Sequence, residues 1–278
     1  MRLATVRGVD RTHAAVGDAG GWVLLDDADA QELICAPNWR ARAEAALRHP
    51  ARTDVEAHEF ANPVPRPSKV FCCGLNYRDH IVETGRPVPE FPTLFAKFAD
   101  TLTGAEDDIV VRNTDKLDWE AELAVVVGAE VHRADRAQAQ AAILGYAVSN
   151  DISMRDWQQR TLQWLQGKAF DATTPVGPWV VTADELDPRG GLRITCAVNG
   201  ELVQDADTSE LVFDAADLVA YVSQITVLRP GDIVLTGTPG GVALGMPEPR
   251  WLRDGDLVTT EIEGIGVLRN TIRFDDLR

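Results

Sequence analysis

The chain has 278 residues, of which 45% are hydrophobic and 25% charged, a composition typical of a globular protein that can bury a large core. Its 43 acidic and 27 basic residues give a formal net charge of −16. This charge argues against nucleic acid and anionic membranes as partners, because a phosphate backbone requires clustered lysine and arginine.

No apolar run approaches the roughly 20 residues that span a bilayer. The N-terminal residues MRLATVRGVDRTHAAV contain no apolar signal region. We therefore predict a cytoplasmic protein. The four cysteines have no C-x-x-C spacing, which predicts buried free thiols in a reducing compartment; they are Cys35, Cys72, Cys73 and Cys196.

The first 60 residues contain a hairpin-like pattern, from RLATVRGVD to GGWVLLDD, and then a helical stretch around residues 40–48. The segment ANPVPRPSK at 61–69 follows, and its three prolines predict an extended connector. We therefore expect a small N-terminal α/β domain with its linker over residues 1–65, and a second domain over residues 66–278.

Short apolar runs typical of strands follow the connector at 70–73, 109–111, 123–127, 146–149, 179–182, 194–198, 233–236, 257–262 and 266–270. A helical period interrupts them at 214–227, where Asp214 is a suitable N-cap. Because the strands are numerous and do not alternate regularly with helices, the sequence predicts a mainly β fold of the α+β class and not a doubly wound sheet.

Two glutamates lie in the segment LDWEAELAVVVG at 117–128. Residues two apart on a strand point the same way, so Glu120 and Glu122 are expected side by side on one face. If this face is exposed to solvent, the two carboxylates can lie side by side at little cost. Burial would cost several kcal/mol unless a positive charge lay between the two carboxylates.

Asp151 ends the strand-like segment GYAVSND, where its side chain would enter a cleft. Together with the two glutamates it forms an all-oxygen donor set, which Mg²⁺, Mn²⁺ or Ca²⁺ prefers and zinc does not. Three protein oxygens leave about three positions of a six-coordinate ion for substrate and water, as in a catalytic site.

Two further motifs carry possible chemistry. His80 and Glu83 in NYRDHIVETG are three apart, so on a helix they share a face, as a general base with its orienting carboxylate or as an ordinary surface pair. Lys168 is one of only four lysines. It is interpreted as an exposed loop residue, an electrostatic catalyst or a Schiff-base former.

Six segments in this order closely resemble the fumarylacetoacetate hydrolase family: FCCGLNYRDHIVETG, DWEAELAVVVG, GYAVSNDISMRDWQ, GKAFDATTPVGPW, the long block that begins VNGELVQDADTSELVFDAADLV, and EIEGIGVLRN. The resemblance extends from about Val70 to Asn270 and adds little over the first 60 residues. It implies a mixed β-roll catalytic domain with a smaller N-terminal domain, assembled as a homodimer.

The resemblance also assigns roles to residues. It implies that Mg²⁺ or Mn²⁺ is held by the metal ligands Glu120, Glu122 and Asp151. It implies that His80 and Glu83 form a catalytic dyad with Lys168 as the active-site lysine, and that the substrate oxygens are contacted by Arg155, Gln158 and Thr238. Asp118 receives no ligand role and is interpreted as an acid at a strand entry, and Cys73 as a packing residue.

The implied activity is hydrolysis of a C–C bond in a 2,4-dioxo acid, which is the C3–C4 bond of an acylpyruvate. The substrate would be an acylpyruvate such as fumarylpyruvate from aromatic-ring breakdown, or a compound like fumarylacetoacetate, and the products pyruvate or a related keto acid and a carboxylic acid. A decarboxylase acting on oxaloacetate, an isomerase acting on a hydroxymuconate and an inactive metal-stabilised binding protein remain alternatives. Arg160 could meet a distal carboxylate of the substrate or be a surface residue.

Overall fold

A computed structural model describes residues 1–83 and 87–275, and only the backbone of residues 80, 82 and 83. The strands are β1 (Arg2–Arg7), β2 (Thr12–Asp18), β3 (Gly21–Leu24), β4 (Phe60–Ala61), β5 (Val70–Gly74), β6 (Thr93–Lys97), β7 (Leu102–Thr103), β8 (Ile109–Val111), β9 (Leu117–Asp118), β10 (Ala121–Val127), β11 (Ile143–Asn150), β12 (Ser153–Met154), β13 (Thr174–Thr182), β14 (Arg193–Val198), β15 (Glu201–Asp207), β16 (Ile233–Leu235), β17 (Leu257–Ile262) and β18 (Gly266–Phe274). The helices are α1 (Ala30–Cys35), α2 (Trp39–Leu47), α3 (Arg78–Glu83), α4 (Arg136–Ala142), α5 (Arg155–Gln158), α6 (Leu165–Lys168) and α7 (Ala215–Ile225). The α+β prediction is confirmed.

One large mixed sheet organises the molecule. Its strand order is β3-β2-β1-β13-β11-β10-β16-β5-β6, with β4 beside β1 and β7 beside β13. Most neighbours are antiparallel, but β16 runs parallel to β5. A second sheet, ordered β15-β14-β17-β18-β8, contacts the first through β10, β11 and β13.

Strand β10 is buried on both faces, which explains its unbroken apolar run. Leu123, Val125 and Val127 join the core that includes residues of the second sheet. Ala124 and Val126 face the opposite way, into a core shared with residues of α1. Because side chains alternate along a strand, Glu120 and Glu122 lie on the side of Ala124 and Val126, at the end where the strand begins.

The N-terminal strands continue the large sheet. β1 pairs antiparallel with β13, with Leu3 opposite Val180. The backbone hydrogen bonding therefore runs from the first strand into the segment after residue 66. The division of the chain into two domains at residue 65 stays a prediction.

Three of the four cysteines are buried and free, as predicted, whereas Cys35 is exposed. The expectation of burial was wrong for Cys35 because this residue ends α1 at the surface. Burial and the nearby Glu122 raise the pKa of the Cys73 thiol to about 12, so this thiol remains protonated as a packing residue does. No helix in the described ranges is both long and apolar enough to cross a bilayer.

Helix α7 begins where the sequence predicts. The Asp214 carboxylate accepts hydrogen bonds from the backbone N–H groups of Ala216 and Asp217, and the Asp217 side chain accepts one from the Asp214 N–H. Arg136 pairs with Asp214 as well. Burial alone would raise the pKa of Asp214, but the hydrogen bonds from Arg136 and from the Asp217 N–H lower it below its usual range.

We expect Asp214→Ala to destabilise the protein by about 1–2 kcal/mol, the usual effect of losing an N-cap, measured by urea unfolding at pH 7. Because the folded-state pKa of Asp214 is lowered, its contribution is present above its unfolded pKa of about 4 and is lost as the pH falls through the folded value. The difference between wild type and variant should therefore shrink below about pH 4.

Asp205→Ala is the matched control. Asp205 is also paired with an arginine, Arg193, but it is exposed and caps no helix. Its removal should change stability by less than about 1 kcal/mol. Equal effects of the two substitutions would contradict a capping role for Asp214.

Candidate active site

Three buried carboxylates converge where β10 begins and β11 ends. Ala121 lies opposite Asn150 in the antiparallel register, and the Asp151 N–H donates to the Glu120 carbonyl at 2.8 Å. This pairing brings Asp151 beside the two glutamates. One carboxylate oxygen from each of Glu120, Glu122 and Asp151 lies within 4.8 Å of the others, and all three residues are buried.

Three cations neutralise most of this charge. The Lys168 ammonium donates to Glu120 at 2.6 Å and to Asp151 at 3.0 Å. The Lys97 ammonium pairs with the other oxygen of Asp151. The Arg155 guanidinium contacts Glu120 at 2.6 Å and Asp118 at 2.8 Å. With Asp118 counted among the acids, four carboxylates face three cations, which leaves one negative charge when all are ionised.

Glu122 is the one of these four acids that forms no ion pair with the three cations. Burial, followed by the charges of Asp151 and Glu120, raises its pKa well above the usual carboxyl value. Within the described residues, the hydrogen-bond donor to its side chain is the Gly237 N–H at 2.7 Å. Gly237 has a φ of +94°, and a Cβ there would lie 2.6 Å from the Cys73 carbonyl oxygen, so this turn requires glycine.

The three carboxylates fit a divalent cation. Their oxygens all lie within 4.8 Å of one another, so a single ion between them could contact all three. The donor set contains no sulfur or imidazole, which favours Mg²⁺ or Mn²⁺ over zinc. A divalent ion would also offset the repulsion that Asp151 and Glu120 add to the effect of burial on the Glu122 pKa. With all four carboxylates ionised, it would turn the local charge from −1 to +1.

A cavity of about 920 Å³ lies beside the three carboxylates, and Asp151 is not among its lining residues. Glu120, Glu122, Arg155 and Lys168 line it, and part of its wall is apolar. Phe95 and Trp164 form an edge-to-face pair at 5.6 Å in that wall. The other large apolar residues of the wall are Leu75, Leu94, Leu162 and Leu244.

The other residues predicted for the site differ in whether they line the cavity. Gln158 and Thr238 line the cavity, where Gln158 accepts from Arg155 at 2.9 Å and Thr238 accepts from Gln204 at 2.8 Å. Lys168 ends α6 in a buried position, so it is not an exposed loop residue. The Arg160 guanidinium lies over the Trp157 ring, 3.4 Å from its centroid, and does not line the cavity.

The predicted dyad is placed only in part. The backbone of residues 78–83 is the helix α3, on which positions 80 and 83 share a face. The side chains of His80 and Glu83 lie outside the described part of the chain. Their catalytic roles stay predictions.

Sequence reasoning missed two charged residues of the site. Lys97 is buried at the end of β6 and neutralises Asp151, and Asp118 is buried against Arg155. Each had a signal: Lys97 is one of four lysines and follows the apolar TLFA, and Asp118 lies two residues before Glu120. Asp118 is therefore not a simple strand-entry acid, because its carboxylate is enclosed and pairs with a cavity residue.

Comparison with known proteins agrees with this architecture. A family model described as fumarylacetoacetate hydrolase C-terminal matches residues 69–273. The Homo sapiens protein oxaloacetate tautomerase FAHD2A, mitochondrial, is 45% identical over 216 residues, which cover 77% of this chain and 69% of the human protein. Fumarylacetoacetate hydrolase from Exiguobacterium antarcticum superposes with a TM-score of 0.84 and 30% identity, over 99% of this chain and 100% of that one. Maleylpyruvate hydrolase from Sphingobium sp. SYK-6, solved with manganese(II) and pyruvate, superposes with a TM-score of 0.80 and 26% identity, over 99% and 100%.

We expect Glu122→Gln to weaken Mn²⁺ binding at least about tenfold, measured by isothermal titration calorimetry, because an amide oxygen carries no charge for the ion. The metal-free variant should unfold at the same or a higher temperature than the metal-free wild type, since the substitution replaces a carboxyl whose ionisation is opposed by burial and by Asp151 and Glu120 with a neutral amide. Its amide oxygen can still accept from the Gly237 N–H.

Glu130→Gln is the control for the loss of one negative charge, because Glu130 is exposed. It should leave Mn²⁺ binding unchanged. Unaltered Mn²⁺ affinity in Glu122→Gln would show that the three carboxylates do not form the metal site.

Proposed function

The chain belongs to the fumarylacetoacetate hydrolase family, and from this we propose that it is a divalent-metal-dependent enzyme that forms the enolate of a 2-oxo acid. The observation that carries the proposal is the convergence of three buried carboxylates, two of which line one cavity together with Lys168 and Arg155. The cation is Mg²⁺ or Mn²⁺, and the ligands are Glu120, Glu122 and Asp151.

The charges of the site support an anionic substrate. A bound divalent cation would supply Lewis-acid stabilisation of negative charge on the carboxylate and 2-oxo oxygens of the substrate. Lys168 and Arg155 line the cavity and are buried, so their fixed positive charges act on a developing oxyanion with less screening than in bulk water. Lys168 stays protonated because Asp151 and Glu120 outweigh its burial and raise its pKa, so it acts as a cation and not as a Schiff-base nucleophile. Gln158 and Thr238 line the cavity, and we assign them to the substrate oxygens.

The first candidate reaction is keto–enol tautomerisation of oxaloacetate or a similar 2-oxo acid. The 45% identical human protein carries the name of this activity. The reaction removes a proton from C3, places negative charge on the 2-oxo oxygen, and returns a proton to that oxygen. We assign the C3 proton to the imidazole of His80, which Glu83 would orient.

The second candidate reaction is hydrolysis of an acylpyruvate, the activity that the sequence analysis favoured. The similarity to a maleylpyruvate hydrolase supports it, and so does a cavity larger than a four-carbon acid needs. His80 would take a proton from water, and the hydroxide would add to the C4 carbonyl. The C3–C4 bond then breaks, a carboxylic acid leaves, and the enolate of pyruvate is protonated.

Two further expectations belong to the proposal. The family resemblance suggests a homodimer, and the composition suggests a cytoplasmic location. Light scattering after size-exclusion chromatography measures the first directly, and a mass near 30.3 kDa, that of one chain, would contradict it.

A panel of 2-oxo acids with Mg²⁺ or Mn²⁺ tests the proposed function. With oxaloacetate we expect faster loss of enol absorbance without release of pyruvate, which separates tautomerisation from decarboxylation. With acylpyruvates, release of pyruvate together with the matching carboxylic acid would indicate hydrolysis. A purified protein that binds Mn²⁺ but accelerates none of these conversions would refute the proposal.

His80→Ala tests the general base. We expect it to lower the rate of the proton-transfer step by a factor of about 10² to 10⁴ and to leave Mn²⁺ affinity unchanged, because His80 is not among the ligands. His58→Ala removes an exposed histidine and should have no effect. A wild-type rate in His80→Ala would show that another group moves the proton.

A further inference from the structure

Asp118 is a buried carboxylate whose hydrogen bonds connect two parts of the cavity. It ends β9, which pairs with β12 so that Asp118 lies opposite Ser153, two residues before Arg155. Its side chain is fully buried. The carboxylate accepts hydrogen bonds from the Trp119 N–H at 2.9 Å and from the Arg155 Nε at 2.8 Å.

The same carboxylate holds a segment of the cavity wall. It accepts from the Ala243 N–H at 2.8 Å and from the Leu244 N–H at 3.1 Å. Leu244 and Gly245 line the cavity. The neighbouring Trp119 indole N–H donates to the Gly241 carbonyl at 3.1 Å, so the dipeptide Asp118–Trp119 anchors this loop at two points.

Arg155 is held on three sides. Its Nε donates to Asp118, one terminal nitrogen donates to Gln158 at 2.9 Å, and the other contacts Glu120 at 2.6 Å. A planar guanidinium with three fixed contacts has one orientation, which a rotating ammonium would lack. Of these contacts, the one to Asp118 involves neither a metal-site carboxylate nor a residue assigned to substrate.

We propose that Asp118 is a positioning residue that fixes the Arg155 guanidinium and the 243–245 wall relative to each other, and thereby sets the binding of the 2-oxo acid. The inference rests on the proposed function, because Arg155 is assigned to substrate there. Asp118 itself does not line the cavity among the described residues, so it acts through Arg155 and the wall.

Binding of oxalate, an isostere of the 2-oxo acid group, to the Mn²⁺-loaded protein tests this by isothermal titration calorimetry. Asp118→Asn preserves shape but removes the charge and one acceptor, so we expect oxalate affinity to fall about tenfold. Mn²⁺ affinity should stay within about threefold, since Asp118 is not a ligand. In an Arg155→Ala background, Asp118→Asn should reduce oxalate affinity by less than about threefold, because the group through which it acts is already gone.

Two further variants test the contact to the cavity wall and control for the loss of a buried carboxylate. Ala243→Pro removes one N–H donor to Asp118 at the first residue of a short 3₁₀ turn, a position that proline accepts. It should weaken oxalate binding without changing any charge. Asp232→Asn is the matched control, because Asp232 is equally buried and accepts from Ser68 and from the Lys69 and Arg229 N–H groups at the other end of β10. It should lower thermal stability and leave oxalate affinity unchanged.

The outcomes separate the two proposals. Wild-type protein that binds no oxalate and converts no 2-oxo acid would overturn the proposed function. Wild-type protein that does both, with unchanged oxalate affinity in Asp118→Asn and Ala243→Pro, would overturn the positioning role alone. An equal loss from Asp118→Asn in the wild-type and Arg155→Ala backgrounds, or an equal loss in Asp232→Asn, would also overturn it.

Discussion

Repulsion among buried carboxylates is the constraint on which this site depends. Glu120, Glu122 and Asp151 bring their oxygens within 4.8 Å in an environment that penalises every isolated charge. Lys97, Lys168 and Arg155 are buried around them for the same reason, and each pairs with at least one of these acids. Burial alone would neutralise such groups; the mutual pairing keeps most of them charged and leaves a place for a divalent ion.

The large sheet makes this arrangement possible. Antiparallel pairing of β10 with β11 sets Asp151 beside Glu120, and the neighbouring β16 delivers the Gly237 N–H to Glu122 from the turn that follows it. Both faces of β10 are packed. A shift of one residue in its register would move Glu120 and Glu122 to the opposite face, so the apolar packing of Leu123 to Val127 also keeps these two carboxylates beside Asp151.

Much of the fold was predictable because its signals are local. Every strand-like run that the sequence indicated after residue 66 lies within or overlaps an observed strand, and α7 begins after Asp214 as its capping pattern indicates. Other features were not predictable. The exposure of Cys35 and the burial of Lys97 depend on what packs against each residue in the folded protein. The segment TLFA before Lys97 does not specify those contacts.

The sequence by itself determined that Glu120 and Glu122 share a face, because the period of a strand is two residues wherever the strand lies. It also specified that the candidate metal ligands Glu120, Glu122 and Asp151 offer only oxygen atoms. Only the tertiary structure decided which distant residues complete the site: Lys168 is 48 positions from Glu120, and Lys97 is 54 from Asp151. Pairings across such separations follow from strand order and register, which the packing of the whole core selects and no local pattern encodes.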